Sequence, residues 1–572
     1  MENRLISLLQ SFLHTNQLKQ IQSLVIRAHP HLTPLFFRSL SDPSHIEYAL
    51  QVFDRIPQPD PFFANSIISN LAKLSLHENA IGTLSLAHRK NTRIVHYSIA
   101  PVLKACALLG ASREGKQVHS LVIRCGICFN VFIQSGLIDF YSKSGDLESA
   151  KRVFDEVVVK EPVPYNCLIS GYSKSGDVLA ARKVFEEMPF KTQASWNTMI
   201  TCYAHNGDLV EAFTMFEHMR EQKIQPNERT LVTVLSVCGK MGDLDTGLKI
   251  KELMIDGQEF RTNLIVRTAL MEMYIKCGAV DEARKEFDQM GRRDVIAWSA
   301  MIAGYAQNGR SNEALELFEK MKLEKYKPNE VTLVSILSAC GQLGSVEAGE
   351  RIGSYVESQG LASGVYVGSA LVDMYAKCGN IRRAHRIFDE MPQKDLVTWN
   401  SMIGGLAING FANDAIDLYH KMREENFKPN DITFVGLLTA CTHAGLVKLG
   451  LNFFNSMKED HGLVPKVEHC SCVVDLFCKS GRLEDAYKFI CQMEVEPNVV
   501  VWSILLSACR DYSNVDLAER LVEKLLALDP NNSGYYVILS SLYAYLGRWE
   551  EARKGNPFTL HQNSHLPCFF PS

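Results

Sequence analysis

The chain has 572 residues and a formal net charge of -4 at pH 7, with a sequence pI near 6.5. A balance this even gives no global basic field, so any recognition of nucleic acid must rest on a local stripe and on specific contacts. The 16 cysteines fall mostly inside apolar, helix-like segments rather than in a secreted-type framework, which predicts buried thiols in a reducing compartment. No stretch approaches the roughly 20 apolar residues of a membrane span, so no membrane partner is expected.

In chain order, Met1 to Gln20 is apolar and nearly free of acids, but Arg4 and Lys19 are its only positive charges. By composition it is a poor organelle-targeting signal. Beyond residue 60 the chain is self-similar. Trp196-Asn197-Thr198-Met199-Ile200, Trp298-Ser299-Ala300-Met301-Ile302 and Trp399-Asn400-Ser401-Met402-Ile403 recur about a hundred residues apart, as do Cys238, Cys340 and Cys441. Each super-period holds three related units, shown by 264–294, 295–329 and 330–364. In 295–329, Trp298, Met301, Ile302 and Tyr305 recur at helical spacing and Asn308-Gly309 ends that helix. Ser311 is expected to cap a second helix with an apolar face of Ala314, Leu315, Phe318 and Met321, and Pro328 closes the unit. Such a hairpin cannot bury both its apolar faces alone, so the predicted fold class is all-α: an α-solenoid of tandem helix-turn-helix repeats, 31–36 residues each.

Short units at 131–161, 162–192, 264–294 and 365–395 carry Tyr-x-Lys-x-Gly marks at Tyr141/Lys143/Gly145, Tyr172/Lys174/Gly176, Tyr274/Lys276/Gly278 and Tyr375/Lys377/Gly379. Standard units begin at Pro61, Gln193, Val295 and Leu396, and long units at His96, Glu228, Glu330 and Asp431. On these residues the chain resembles plant pentatricopeptide repeat proteins of the class that alternates standard, long and short repeats. The segment 467–498, ending Glu496-Pro497-Asn498, resembles the last short repeat of that class. Val499 to Asn532, with Leu528-Asp529-Pro530, resembles its E extension. The domain reading is degenerate repeats over 1–60, tandem repeats over 61–498, an incomplete E-type extension over 499–554 and an atypical tail over 555–572.

The resemblance implies a right-handed superhelix that binds single-stranded organellar RNA one base per repeat, in the mitochondrion or alternatively the chloroplast. It implies a site-recognition factor for C-to-U editing, itself no enzyme and without cofactor or small-molecule substrate, with a protein partner supplying the deaminase. RNA stabilisation, splicing or processing, or a protein-binding scaffold, are the alternatives. In the family, the fifth and last residues of a repeat face the base edge. Carried over, Asn197 with Asn227 and Asn400 with Asn430 resemble pyrimidine readers favouring cytosine, Thr268 with Asp294 and Ser369 with Asp395 guanine readers, and Ser299 with Asn329 an adenine reader. Weaker positions are Asn65 (with Val95), Ser135 (with Glu161) and Asn166 (with Thr192), and Ser471 and Asn498 are carried over as RNA-binding positions as well. Long units present Val232, Val334 and Val435 instead, which offer no polar pair. From Gln193 to Asn430 the implied order is cytosine, gap, guanine, adenine, gap, guanine, cytosine, and replacing Asn400 with Asp is expected to move the last preference towards uracil. Apolar second residues such as Ile265, Ile296, Tyr366 and Val397 are expected to flank bases or to pack between helices. A bland reading stands beside the polar file: Asn, Ser and Asp near helix starts also serve as caps.

Three motifs resemble chemistry. Gly110-x-x-x-x-Gly115-Lys116 nearly matches a phosphate-binding loop, but Gln117 replaces the hydroxyl residue and the same glycines recur at Gly242/Gly247 and Gly344/Gly349. Cys125/Cys128 and the cluster His469, Cys470, Cys472 and Cys478 raise zinc, for which buried cysteines are the better reading and no metal site is expected. A deaminase needs His-x-Glu followed by Pro-Cys-x-x-Cys. Here His45-Ile46-Glu47 is misplaced, and Pro567-Cys568 runs into Phe569-Phe570.

Overall fold

The structure is a computed structural model that describes residues 14–28, 32–157, 161–256, 262–529 and 534–549, with residues 9, 260, 532 and 552. Most of the first thirteen residues, the tail 555–572 and the Pro567-Cys568 pair lie outside the described residues. Among the described residues every regular element is helical. The all-α, helical-hairpin prediction is therefore met. Helices Thr15–Ala28, Thr33–Leu40 and Ile46–Arg55 precede fourteen described hairpins, whose first helices start at Pro61, His96, Val131, Pro162, Gln193, Glu228, Leu264, Val295, Glu330, Val365, Leu396, Asp431, Val467 and Val499. Helix Gly534–Tyr545 follows. The chain divides into two compact units, Met1–Glu286 and Phe287–Ser572. Within each, a first helix packs on its own second helix and on the first helix of the next hairpin.

Local chemistry fixes where the helices start and stop. A side-chain oxygen of the preceding residue accepts an otherwise orphaned backbone N–H: Asn329 Oδ1 takes that of Thr332 at 2.9 Å, and Asp395 Oδ1 that of Thr398 at 2.8 Å. At the turn inside the hairpin a glycine adopts the left-handed backbone that other residues resist, with φ +72° at Gly309 and +82° at Gly379. Ser311 corrects the sequence reading. It is the first residue of helix Ser311–Leu323, with Arg310 in the cap position, and its buried hydroxyl donates to Gln342 Oε1 at 2.9 Å instead.

The repeated tryptophans lie in the core. Each meets a phenylalanine of the preceding second helix edge-on: Trp196 and Phe185 at 5.1 Å, Trp298 and Phe287 at 4.8 Å, Trp399 and Phe388 at 5.0 Å between ring centres. This is the arrangement the ring quadrupole favours. Where first helices pass closest, glycine is required by space: a Cβ on Gly405 would fall 2.5 Å from the Cβ of Ala376. The recurrent cysteines are buried as well. Loss of solvent pushes the Cys238 and Cys340 thiols up to about 12 and that of Cys441 to about 11, so they behave as small apolar groups.

Candidate nucleic-acid interface

The first residues of each hairpin's first helix, together with the residue that caps it, form the candidate site. Because the cap of one hairpin is also the last residue of the hairpin before, the fold brings fifth and last residues together across neighbours. In the unit 396–430, Asn400 Nδ2 donates to Asn430 Oδ1 at 3.0 Å. Thr433 completes a triad: its hydroxyl donates to Asn400 Oδ1 at 2.7 Å and accepts from the Asn430 N–H at 3.1 Å, while its own N–H donates to Asn430 Oδ1 at 3.1 Å. The unit 193–227 repeats this, with Asn197 Nδ2 on Asn227 Oδ1 at 3.0 Å and the Thr230 hydroxyl on Asn197 Oδ1 at 2.6 Å. Ser299 meets Asn329 Oδ1 at 3.0 Å and the Thr332 hydroxyl at 2.6 Å. Ser369 reaches the Thr398 hydroxyl at 2.7 Å, and that hydroxyl donates to Asp395 Oδ1 at 2.8 Å.

These bonds decide which atom each pair has left to offer. A carbonyl oxygen has two lone pairs, and Asn430 Oδ1 receives Asn400 Nδ2 and the Thr433 N–H. What the amide keeps for a ligand is its NH₂, a donor. Asp395 Oδ1 is taken up by Thr398 in the same way, and its second oxygen, an acceptor, is what remains. The fifth residues are more buried than a groove-lining role suggests, with Asn197 5% and Asn400 9% exposed. The last residues are more open: Asn430, Asp395 and Asn227 are half-buried and Asn329 is exposed.

Other expected pairs are not assembled. Asn65 makes no side-chain pair with the last residue of its repeat. Its amide donates to the carbonyls of Pro61 and Arg93 at 2.6 and 3.0 Å, and its oxygen accepts from Val95 N–H at 3.1 Å and Ser98 Oγ at 2.5 Å, so its capacity is spent inside the protein. Ser135 and Ser471 turn back to the carbonyls of Val131 and Val467. Glu161 makes no side-chain cap, and Thr192 and Asn498 cap the helices that follow them. Asn166 has a buried Oδ1 without a partner. Thr268 is buried, and Asp294, in the other compact unit, accepts the Ala297 N–H at 2.8 Å.

The apolar second residues do not pack between helices. Ile265, Ile296, Tyr366 and Val397 are 57–68% exposed. Tyr366 and Val397, with Ser369 and Asp395, line a cavity of about 490 Å³ between helices Glu330–Leu343, Val365–Lys377 and Leu396–Ile408. An exposed ring and an exposed aliphatic side chain therefore share one cavity with Ser369 and Asp395.

A PPR repeat family model matches residues 191–240, 293–342 and 394–443, and a PPR repeat model matches 135–161, 163–191, 369–396, 432–461 and 468–496. An E motif model matches 512–554. A chloroplastic pentatricopeptide repeat-containing protein of Arabidopsis thaliana is 43% identical over 89% of this chain and 69% of its own length. The chain belongs to the pentatricopeptide repeat family. A mitochondrial pentatricopeptide repeat protein of the same plant is 33% identical over 89% of this chain and 86% of its own. Among solved structures, the pentatricopeptide repeat protein PPR10 from maize superposes with a TM-score of 0.55 at 20% identity, covering 91% of this chain and 82% of that one. PPR10 in complex with an 18-nt psaJ RNA element gives 0.52 at 18% identity, over 98% and 91%.

The family's repeat geometry also disposes of the other motifs. Gly110 is the left-handed end of helix His96–Leu109, and a Cβ on Gly115 would fall 2.1 Å from the Phe140 ring. Lys116 pairs with Asp146 at 3.3 Å. The phosphate-loop look-alike is thus a turn and a packing contact. His469 accepts the Lys466 N–H on Nδ1 at 3.0 Å, and its Nε2 lies 2.9 Å from the Asp431 carbonyl, so both ring nitrogens are engaged by backbone. Among the described residues no three His, Cys, Asp or Glu side chains converge to hold a metal ion, and His45 bonds Thr15 Oγ1 at 2.8 Å. Sequence reasoning missed the threonines: Thr230, Thr332, Thr398 and Thr433 are all but fully buried. Each stands three residues after its cap, the capping-box spacing, which is the signal that could have found them.

Proposed function

We propose that this chain binds single-stranded organellar RNA sequence-specifically, one base per repeat, and selects sites for C-to-U editing while a protein partner supplies the deaminase. The observation that carries the reading is the fixed polarity of the last residues. Where the residue is Asn, as at 227, 329 and 430, the cap consumes the oxygen and leaves a donor, which suits bases with an acceptor edge: cytosine O2 and N3, or adenine N1. Where it is Asp, as at 294 and 395, an acceptor remains, which suits the N–H edge of guanine. The exposed Tyr366 and Val397 give a base faces to lie between, and stacking of that kind tolerates any base while the polar pair selects among them. Each good pair would contribute about 1 to 3 kcal/mol of discrimination, by analogy with base-edge contacts to DNA. The chloroplastic and mitochondrial designations of the relatives support an organellar address, and we assign partner docking to the segment 512–554 that the E motif model matches.

The test is fluorescence anisotropy with an RNA containing 5′-CUGAUGC-3′, the implied order with uracil in its gaps, against a scrambled RNA. Equal dissociation constants would sink the reading. Asn430 is a sharper position for recoding than Asn400, because an Asn400→Asp carboxylate would face the Asn430 oxygen, acceptor against acceptor. Asn430→Asp keeps the cap and turns the outward donor into an acceptor. Preference at the last nucleotide should then move from cytosine to uracil, whose N3–H donates, by roughly tenfold or more.

A further inference from the structure

The two Asn–Asn pairs are alike in sequence but not in surroundings. In the unit 193–227, Gln193 Oε1 accepts one hydrogen of Asn227 Nδ2 at 2.8 Å, and Gln193 is itself held by donating Nε2 to the Gln225 carbonyl at 2.7 Å. In the unit 396–430 the first position is Leu396, which has no acceptor to offer Asn430. We propose that Gln193 is a specificity-determining residue of this chain, withdrawing a base-facing hydrogen from Asn227 and weakening discrimination at its nucleotide relative to the one read by Asn430. The proposal rests on the RNA-reading function above.

Two effects of opposite sign compete. A further bond could align the Asn227 amide and sharpen reading, or occupy a donor and blunt it. Alignment is already complete without the glutamine: Asn227 Oδ1 accepts the Thr230 N–H and Asn197 Nδ2, both at 3.0 Å, and Asn430 has the same two bonds at 3.1 and 3.0 Å without any glutamine. What Gln193 adds is therefore occupation. A base that engages both amide hydrogens must displace it, and the net strength of a neutral hydrogen bond corresponds to about a threefold to tenfold change in affinity.

The test is a reciprocal exchange in the full chain. Gln193→Leu copies the 396 environment. Leu396→Gln copies the 193 environment, where the Lys428 carbonyl occupies the sequence position of Gln225. Dissociation constants are measured for the 5′-CUGAUGC-3′ RNA and for variants with the first or the last cytosine replaced by each other base. Expected for Gln193→Leu is a threefold to tenfold rise in discrimination at the first cytosine with the last unchanged. Leu396→Gln should lower discrimination at the last cytosine by a similar factor and leave the first alone. Discrimination at the first cytosine that stays level or falls in Gln193→Leu, while the RNA is still preferred over its scramble, would overturn the role of Gln193 and leave RNA reading intact. A native chain that does not prefer the RNA over its scramble overturns the RNA reading itself.

Discussion

Thr433 shows how much rests on one hydroxyl. It satisfies both the Asn400 oxygen and the Asn430 backbone N–H, so Thr433→Val leaves a buried acceptor and a donor unmatched, at a cost of about 1 to 3 kcal/mol. Hydrogen exchange should show protection lost over helix Asp431–Ala444 in that variant and kept in Thr433→Ser. Asn65 and Asn197 cannot be told apart from the helices that carry them, since both stand at the fifth position beside apolar neighbours; only the last residue of each repeat separates them. The difference lies some thirty residues on. Position 95 is Val, which offers the amide no side-chain partner, so the Arg93 carbonyl and Val95 N–H take it up. Position 227 is Asn, and a side-chain pair forms.

Helix ends were readable because they are set by single residues. Left-handed glycines such as Gly309 and caps such as Asn329 act within three positions of themselves, a range over which a sequence motif is informative. Ser311 was misplaced because its partner, Gln342, belongs to the next hairpin. The close approach of Gly405 to Ala376 was likewise invisible, since nothing in either segment states the distance between two helices. Gly405→Ala sets two rigid Cβ atoms together and should destabilise the array by about 1 to 3 kcal/mol, read as loss of exchange protection in helices Val365–Lys377 and Leu396–Ile408. Lys223, Lys325 and Asn426 recur just past a second helix with φ of +56°, +62° and +64°. An L-residue there pays about 1 to 2 kcal/mol in steric energy, so Lys325→Gly should raise the thermal midpoint while the same change in the body of helix Ser311–Leu323 lowers it.

For the molecule as a whole, the charge balance read at the outset makes a prediction about salt. With a net charge of -4, and with Lys143, Lys377 and Lys479 each engaged by an aspartate one turn earlier at 2.7–2.9 Å, few phosphates are expected to be neutralised on RNA binding. At about 0.7 per phosphate for single strands, a plot of log Kd against log salt should have a slope below about 3. A strongly basic binder would give a much steeper one. The buried thiols set an alkaline limit. Cys238, Cys340, Cys478 and Cys509 are pushed up to about 12, whereas the unfolded chain releases these protons near pH 8.5. Their contribution to stability is whole below that value and is lost as pH rises towards 12. Thermal midpoints should therefore fall between pH 9 and 12, and less steeply in Cys340→Ala.

On the proposed reading, a residue that ends one repeat by facing a base begins the next by holding its first turn together, and this double duty limits how such a chain can be rewritten. Only a short side chain with an acceptor can do both, so the usable letters at that place are Asn, Asp, Ser and Thr, the same few that start helices everywhere. Val95, Glu161 and Lys466 stand outside that set and make no side-chain cap, and at Lys466 His469 rebuilds the turn from the other side. Retargeting the chain to a new transcript is thus a choice among helix starts, and a substitution chosen for its base alone would be tested first by whether the next repeat still folds.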